Sequence, residues 1–200
     1  MRDSLELPLF PLKTVLFPGG VLPLRIFEQR YIAMAKACLR NELPFGVCLI
    51  TRGDEVAVDP GAPPDFAGVG TEATIASWDM PELGILHVTA KGGERFLVRS
   101  HRVETDGLLV AEATRIPAEP EAALGSEFAP LAKLLELVAA RVGPNQFPET
   151  HAFDNASWVG YRLAEVLPLP LTIKQGMLEI NDSGMRLTLL QKFLKQQGLV

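Results

Sequence analysis

Side chains that could perform chemistry are few and scattered in this 200-residue sequence. Its three histidines, His87, His101 and His151, lie far apart in the chain. A zinc site would need His or Cys ligands at short, regular spacings, and the two cysteines, Cys38 and Cys48, form no such pattern with each other or with a histidine. We therefore expect no metal site and no cofactor.

A nucleophilic serine would need a general base within hydrogen-bond reach, held in place by a third group. The sequence contains neither a G-x-S-x-G elbow nor an S-x-x-K motif. The serines considered, all at predicted turn, cap or strand positions, are Ser77, Ser100, Ser126, Ser157 and Ser183. We expect no catalytic residues and no enzyme activity. A small hydrolase or peptidase is the least favoured alternative.

The charge balance argues against nucleic acid as a partner. The chain carries 19 Lys and Arg against 24 Asp and Glu, a net charge of −5, whereas a protein that neutralises phosphates needs a basic face. RNA binding remains an alternative hypothesis because one group of residues could form a local basic stripe. This group is Arg95, Arg99, His101, Arg102 and Arg115.

Several features predict a soluble cytoplasmic protein. No apolar run approaches the ~20 residues needed to span a bilayer, and the acidic balance disfavours anionic membrane surfaces. The start of the chain does not resemble a signal peptide. Both cysteines lie in apolar segments and suit a reducing compartment.

The first 116 residues have the periodicity of short strands separated by turns. Apolar residues alternate from Leu5 to Leu9, a period of two. Apolar runs predict further strands over 45–51, 69–78, 85–90, 95–99 and 108–114. Gly92-Gly93 and Asp106-Gly107 are turn signals, and Trp78 to Leu83 is typical of a hairpin loop. Closely spaced strands with tight turns predict an antiparallel sheet that is closed or nearly closed on itself.

One helix interrupts these strands, near residues 27–41. Its apolar positions, at helical spacing, are Phe27, Tyr31, Met34, Cys38 and Leu39. Asn41 is a suitable end for it. The segment 51–65 is rich in Gly, Pro and Asp, which predicts a long exposed loop.

After a linker that begins at Pro117, the periodicity becomes helical. The predicted caps and stops are Ser126, Gly143-Pro144, Asp154 or Asn155, Pro168, a Thr172–Gln175 capping box, Asn181 or Asp182, and Gly198. We therefore predict an α+β protein with two domains. Residues 1–116 form the strand-rich domain with one helix, and residues 117–200 form a small helical bundle.

Three sequence blocks carry a family resemblance. The long block from Leu7 to Tyr31 resembles the opening of the Lon N-terminal domain, and its signature residues are Pro11, Pro18, Leu24, Phe27 and Tyr31. The second block is similar to the paired G-T-x-A and G-x-x-R-F strands of that family, with Gly70, Thr71, Glu94, Arg95 and Phe96. The third is similar to its helical end, with Gln175, Leu178, Glu179, Arg186 and Leu187.

The resemblance implies a PUA-like antiparallel β-barrel followed by a helical bundle. It also implies a role in recognising unfolded or tagged polypeptides, with a protease as a second candidate partner. A complete Lon also has an ATPase and a Ser-Lys peptidase, but this sequence has no Gly-Lys dipeptide for a phosphate-binding loop. We therefore expect a stand-alone, non-catalytic relative of the substrate-binding domain.

Two expectations concern the binding surface and the second block. Apolar loop residues rimmed by polar groups mark interaction sites, and six side chains are candidates for peptide binding: Phe17, Phe45, Phe66, Trp78, Met80 and Leu83. The alternative for Phe17 and Trp78 is that they close the ends of the barrel.

Glu94 and Arg95 either form an ion pair at the start of a strand, or Arg95 is a buried anchor that binds a carboxylate such as Glu179; both roles are structural.

Overall fold

The computed structural model describes residues 4–55, 63–141, 147–148 and 150–198. The chain divides into two compact units, Met1–Pro117 and Ala118–Val200. The first consists mainly of strands and the second of helices. The α+β class predicted from the periodicity is confirmed. In the part of the chain that the structure describes, no helix is long and apolar enough to cross a membrane.

The described residues of the first unit form seven strands and one helix. In chain order they are β1 (Ser4–Leu12), β2 (Val21–Ile26), α1 (Gln29–Asn41), β3 (Phe45–Arg52), β4 (Asp65–Phe66), β5 (Val69–Glu82), β6 (Ile85–Val103) and β7 (Leu109–Arg115). The sheet order is β1-β7-β6-β5-β3-β4, and β3 also pairs with β1, so five strands form a closed ring of pairings. The β1–β3 pair is parallel, unlike the predicted antiparallel sheet. Such pairing is possible here because β2 and α1 supply the long crossover that parallel neighbours require.

The predicted turn at Gly92-Gly93 is wrong, because β6 runs through both glycines. At this point the turn before β2 lies against the strand. The backbone N–H of Gly92 donates to the Gly20 carbonyl, and the Gly92 carbonyl accepts from the N–H of Gly19, both at 2.8 Å. A Cβ on Gly92 would lie 2.2 Å from the Phe17 carbonyl oxygen. Glycine therefore serves close backbone approach at this position rather than a turn.

Two other local predictions need correction. Strand β5 continues to Glu82, so the hairpin loop expected over 78–83 shrinks to Leu83-Gly84, where Gly84 has φ +85°. Helix α1 ends at Asn41, as predicted, but it begins at Gln29 rather than near residue 27. Phe27 precedes the helix and is 52% exposed instead of lying on the buried helical face.

Two apolar clusters lie in the described part of the first unit. One packs α1 against the sheet through Phe10, Ile26, Tyr31, Phe45 and Val88, among others. The other joins β1, β3, β6 and β7 through Leu7, Leu9, Cys48, Phe96 and Leu109. Burial of these side chains is the main stabilising contribution in the first unit.

The second unit contains a short 3-10 turn at Ser126–Phe128 and helices α2 (Ala129–Ala139), α3 (Ala156–Val166), α4 (Leu171–Glu179) and α5 (Ser183–Gln196). Helix α3 contacts α2, α4 and α5. Two predicted caps are confirmed. The Asn155 side chain accepts from the Trp158 N–H at 2.9 Å, and that of Asp182 accepts from the Met185 N–H at 2.7 Å.

Other predicted helix boundaries are not confirmed. Thr172 lies inside α4, which begins after Pro170, so the Thr172–Gln175 capping box is wrong. Ser126 starts the 3-10 turn, and Phe128 precedes α2. The Gly143-Pro144 stop lies outside the described residues. Part of the predicted 51–65 loop is also outside them, and its end forms β4.

Candidate functional site

The six side chains predicted to bind peptide do not form one surface. Trp78, Met80 and Leu83 share the β5–β6 hairpin, where Trp78 is 58% and Leu83 100% exposed, while Met80 packs partly against the core. Phe66 lies on β4, and its ring meets that of His101 edge-on at 5.1 Å.

Phe17 and Phe45, two of the residues predicted to bind peptide, are fully buried and are not presented at the surface. Phe17 is held against β6 because the turn that follows it hydrogen-bonds to Gly92. Phe45 begins β3, pairs with Ala73 of β5, and has its ring 6.3 Å from that of Phe10. Both aromatic rings are core residues.

The signature residues of the second block have structural roles. A Cβ on Gly70 would lie 2.5 Å from the Val47 carbonyl oxygen, so this position requires glycine. The Thr71 hydroxyl donates to the Leu16 carbonyl at 2.6 Å and ties β5 to the segment before β2. Arg95 and Phe96 are both buried. These contacts explain the residue types without a ligand.

The proposed basic stripe is largely neutralised by contacts within the protein. Arg102 pairs with Glu6 and Glu104 at 2.9 and 2.8 Å. Arg115 pairs with Glu72 and Glu94 at 2.7 and 2.9 Å, Arg99 donates to Thr114, and Arg95 is buried. Of the four arginines, two are thus paired with carboxylates and a third is buried.

The serines and histidines do not form a nucleophilic site in the described part of the chain. Ser100 and Ser157 bond to the carboxylates of Glu112 and Glu119, and no described serine hydroxyl bonds to a histidine. His151 packs against the rings of three aromatic residues instead: Phe147, Phe153 and Trp158. Among the described residues, no group of three or more His, Cys, Asp or Glu could hold a metal ion.

One part of the sheet has two open edges. The first half of β6 pairs with β2 on one side and with the second half of β5 on the other. In the described residues neither β2 nor the β5 segment Thr74–Glu82 has a partner strand on its other side. Unpaired strand edges present backbone N–H and C=O groups that can bind another strand.

The two edges differ in their protection. Strand β5 has register shifts after Ile75 and after Asp79, carries Pro81 near its end, and contacts α1. Bulges, charges, prolines and covering helices all discourage strand addition. By contrast, β2 pairs in continuous register from Val21 to Ile26, and only Pro23 interrupts its row of donors. The edge of β2 is therefore the more open of the two.

A groove of 340 Å³ runs beside β2, within the range of ligand clefts. Phe10 and Tyr31 line it as a stacked pair with ring centroids 4.0 Å apart, and burial raises the pKa of Tyr31 to about 12, so its phenol stays neutral. The exposed ring of Phe27 forms part of the wall. The groove thus offers an apolar surface next to an unpaired backbone edge.

The charged residues of this groove are Arg25, Glu28 and Glu55. Glu28 pairs with Arg30 at 2.8 Å, and Glu55 accepts the backbone N–H of Lys13 at 2.5 Å. Arg25 is exposed and has no ion pair within the described ranges. It is the cationic group of the groove that is available to a ligand.

The groove is not predicted from the sequence. Leu22 to Ile26 stands out there only as part of a family signature, although the alternation around Pro23 is compatible with an edge strand. Phe27 was expected in the core. The exposure of Phe27 and the open side of β2 depend on contacts distant in sequence, so no local pattern reveals them.

The second unit holds a buried ionic cluster around the signature residue Arg186. Its guanidinium binds both carboxylate oxygens of Glu119 and donates to the Met177 carbonyl. Glu119 also accepts from the hydroxyls of Ser157 at 2.7 Å and Tyr161 at 2.6 Å. Burial opposes ionisation of Glu119, but these hydrogen bonds outweigh it and lower the pKa of the carboxyl. The cluster ties residue 119 to α3 and α5 and has a structural role.

Comparison with known proteins gives consistent matches. The family model of the ATP-dependent protease La (LON) substrate-binding domain matches residues 6–196. The Lon protease of Phenylobacterium zucineum (strain HLK1) is 33% identical over 195 residues, which cover 94% of this chain and 24% of that protein. This chain therefore spans about a quarter of the length of that relative.

Solved structures agree. A Lon N-terminal domain protein from Xanthomonas campestris superposes with a TM-score of 0.75 at 35% identity, covering 94% of this chain and 98% of that one. The N-terminal domain of the Mycobacterium avium complex Lon protease, at 18% identity and a TM-score of 0.60, shares the fold and covers 95% and 98% of the two chains. Because the family model matches residues 6–196, almost the whole length of this chain, the chain belongs to the Lon substrate-binding domain family.

Proposed function

We propose that this chain is a non-catalytic module that binds exposed segments of unfolded polypeptide. The observation that carries the proposal is the open edge of β2 beside an apolar groove, in a chain whose family is named for substrate binding. Strand edges and apolar grooves are both general means of recognising peptides. Neither requires a catalytic group or a cofactor.

We further propose that the first unit is a PUA-like β-barrel. The closed ring of five paired strands supports it. The module is proposed to act in a reducing compartment such as the cytoplasm, because Cys38 and Cys48 are free and buried, and burial raises the pKa of Cys48 to about 12. A protease that degrades the bound polypeptide is a second proposed partner.

The test is binding of a permanently unfolded protein without nucleotide. Fluorescein-labelled, reduced and alkylated lysozyme is titrated with the purified chain and followed by fluorescence anisotropy. We expect saturable binding that Phe27→Asp weakens at least ~10-fold, because a central aromatic contact dominates binding energy. Leu137→Asp on α2 is the matched control, since Leu137 is 57% exposed and Phe27 52%.

Three outcomes discriminate the hypotheses. Equal loss in both variants would remove the groove from the proposal. The absence of saturable binding by the unmodified chain would remove the polypeptide-binding function itself. Salt-sensitive binding of labelled RNA, without binding of the unfolded protein, would favour the RNA alternative.

The exposed hairpin residues require a separate test. Trp78 and Leu83 are proposed to extend the contact surface beyond the groove. The double variant Trp78→Ala/Leu83→Ser removes two exposed side chains and should leave the fold intact. Unchanged affinity for the unfolded protein would exclude the hairpin and leave the β2 groove as the site.

A further inference from the structure

We infer that the polypeptide adds to the free edge of β2 as a further strand and carries a carboxylate opposite Arg25. This inference rests on the proposed function and specifies its binding mode and substrate class. The inference is drawn from the strand register, which aligns side chains in rows across β5, β6 and β2. An added strand would extend those rows by one position.

The backbone of β2 is regular along the whole strand. Six consecutive residues of β2 pair with β6 without a register shift, so the strand presents backbone groups along its other side, except for the N–H that Pro23 lacks. An extended segment satisfies these groups with backbone hydrogen bonds, independently of its sequence. This independence suits a module that must accept many unfolded chains.

On the inner face of β2, β6 and β5, apolar side chains lie in a row. The register places Leu24 opposite Val88 and Val88 opposite Trp78, and Val88 is buried on this face. Residues at directly opposed positions share a face of the sheet. A segment beside β2 would therefore direct alternate side chains to the apolar face and the groove, which favours apolar residues at those positions.

The outer face supplies the charge. There the register places Arg25 opposite His87 and His87 opposite Asp79, and all three residues are exposed. The row thus begins with an acid on β5 and ends with a guanidinium on β2. Opposite charges on directly paired residues stabilise a sheet and like charges destabilise it. The residue that complements Arg25 on an added strand is Asp or Glu.

The preferred ligand is therefore an extended segment in which an acidic residue lies between two apolar ones. Of the other charged groove residues, Glu28 is paired with Arg30, Glu55 accepts the backbone N–H of Lys13, and neither forms an ion pair with Arg25 in the described residues. Basic segments would place like charges opposite Arg25. Membership of the family does not specify this sign of charge.

The test uses three labelled ten-residue peptides that alternate apolar and polar residues and differ only at one central polar position, which is Glu, Gln or Lys. Fluorescence anisotropy should rank their affinities Glu, then Gln, then Lys, with about 3- to 10-fold between the extremes. Arg25→Glu should reverse this order, and Arg25→Gln should flatten it. The matched control is Arg40→Glu, an exposed arginine on α1 that makes the same change in net charge and should preserve the order.

Backbone pairing is tested with peptides N-methylated at alternate residues. Alternate N–H groups of an added strand face β2. N-methylation of the residues that carry those groups should abolish binding, and N-methylation of the residues between them should not. If the unfolded protein binds but the peptide order is the same in the native chain and in Arg25→Glu, the inference is wrong and the proposed function stands. The inference is also wrong if the two kinds of methylated peptide bind equally. Failure of the unfolded protein to bind would reject the proposed function.

Discussion

Each unit of this protein holds an ion pair, and the two pairs lie in opposite environments. In the strand-rich unit, Arg102 and Glu6 form an ion pair whose side chains are 49% and 63% exposed. In the helical unit, the side chains of Arg186 and Glu119 are 0% and 3% exposed. Exposed pairs contribute little to stability, whereas loss of one partner from a buried pair leaves an uncompensated charge.

The residues that stabilise the protein are therefore different from those proposed to bind a ligand. The strand-rich unit is stabilised by its two apolar clusters, so charged residues such as Arg25 remain exposed at an open edge. The helical unit commits Arg186 to one carboxylate, two carbonyl groups and the ring of Tyr161, which lies 3.9 Å from the guanidinium carbon. We therefore expect substitution of Arg186 or Glu119 to affect stability, and substitution of Arg25 to affect binding.

The largest effect is expected from breaking the buried pair. Arg186→Met or Glu119→Gln should lower the free energy of unfolding of the helical unit by about 3–5 kcal/mol, because each leaves the other group buried without its partner. The double variant should lose less than the sum of the two. Urea unfolding followed by the fluorescence of Trp158 in a Trp78→Phe background reports on this unit, since the two tryptophans lie in different units.

The matched control for that measurement is Glu6→Gln. It removes the same kind of charge from an exposed pair and should change the free energy of unfolding by less than about 1 kcal/mol. Equal effects of Glu6→Gln and Glu119→Gln would contradict the distinction between the two units.

A smaller effect is expected where two backbones meet in the strand-rich unit. Gly92→Ala should destabilise the unit by about 1–3 kcal/mol, because its Cβ would lie 2.2 Å from the Phe17 carbonyl oxygen and the backbone must shift. Gly93→Ala is the neighbouring control, since its Cβ would come no closer than 3.5 Å to the Glu72 carbonyl oxygen. Thermal unfolding followed by circular dichroism compares the two, and equal melting temperatures would reject this role for Gly92.

Local patterns predicted much of the fold. Alternation predicted β1, the continuous apolar run predicted β3, and the caps Asn155 and Asp182 were predicted from residue type. These features depend on neighbours within a few residues of the chain. The prediction of a turn at Gly92-Gly93 is wrong because Gly92 serves close contact with Phe17, which is 75 residues away in sequence.

The candidate site was less predictable, for a related reason. Exposure of an aromatic side chain depends on which strands cover it, so Phe17 and Trp78 could not be distinguished by their positions near turns. The value of Arg25 as a binding residue depends on its register with His87 and on the open side of β2. Such relations require the pairing of strands and cannot be obtained from residue type and spacing.

The smallest expected effect is the response of the buried pair to acid. The pKa of Glu119 is lowered in the folded protein, so the unfolded chain takes up this proton at a higher pH than the folded chain. The stabilisation is therefore fully present above the ordinary value of 4.5 and is lost as pH falls through the folded pKa. One such carboxyl changes the free energy of unfolding by at most about 1.4 kcal/mol per pH unit.

Glu119→Gln isolates this contribution from that of the other carboxyl groups. The difference in unfolding free energy between the native chain and Glu119→Gln, from urea unfolding followed by Trp158 fluorescence, should be constant between pH 7 and about 5 and then shrink as the pH falls to 3. Protonation of Glu119 removes the charge that Arg186 binds, so the native chain approaches the variant. A difference that stays constant down to pH 3 would show that the carboxyl is not held ionised by the cluster. The contrast between the two units would then rest on packing rather than on charge.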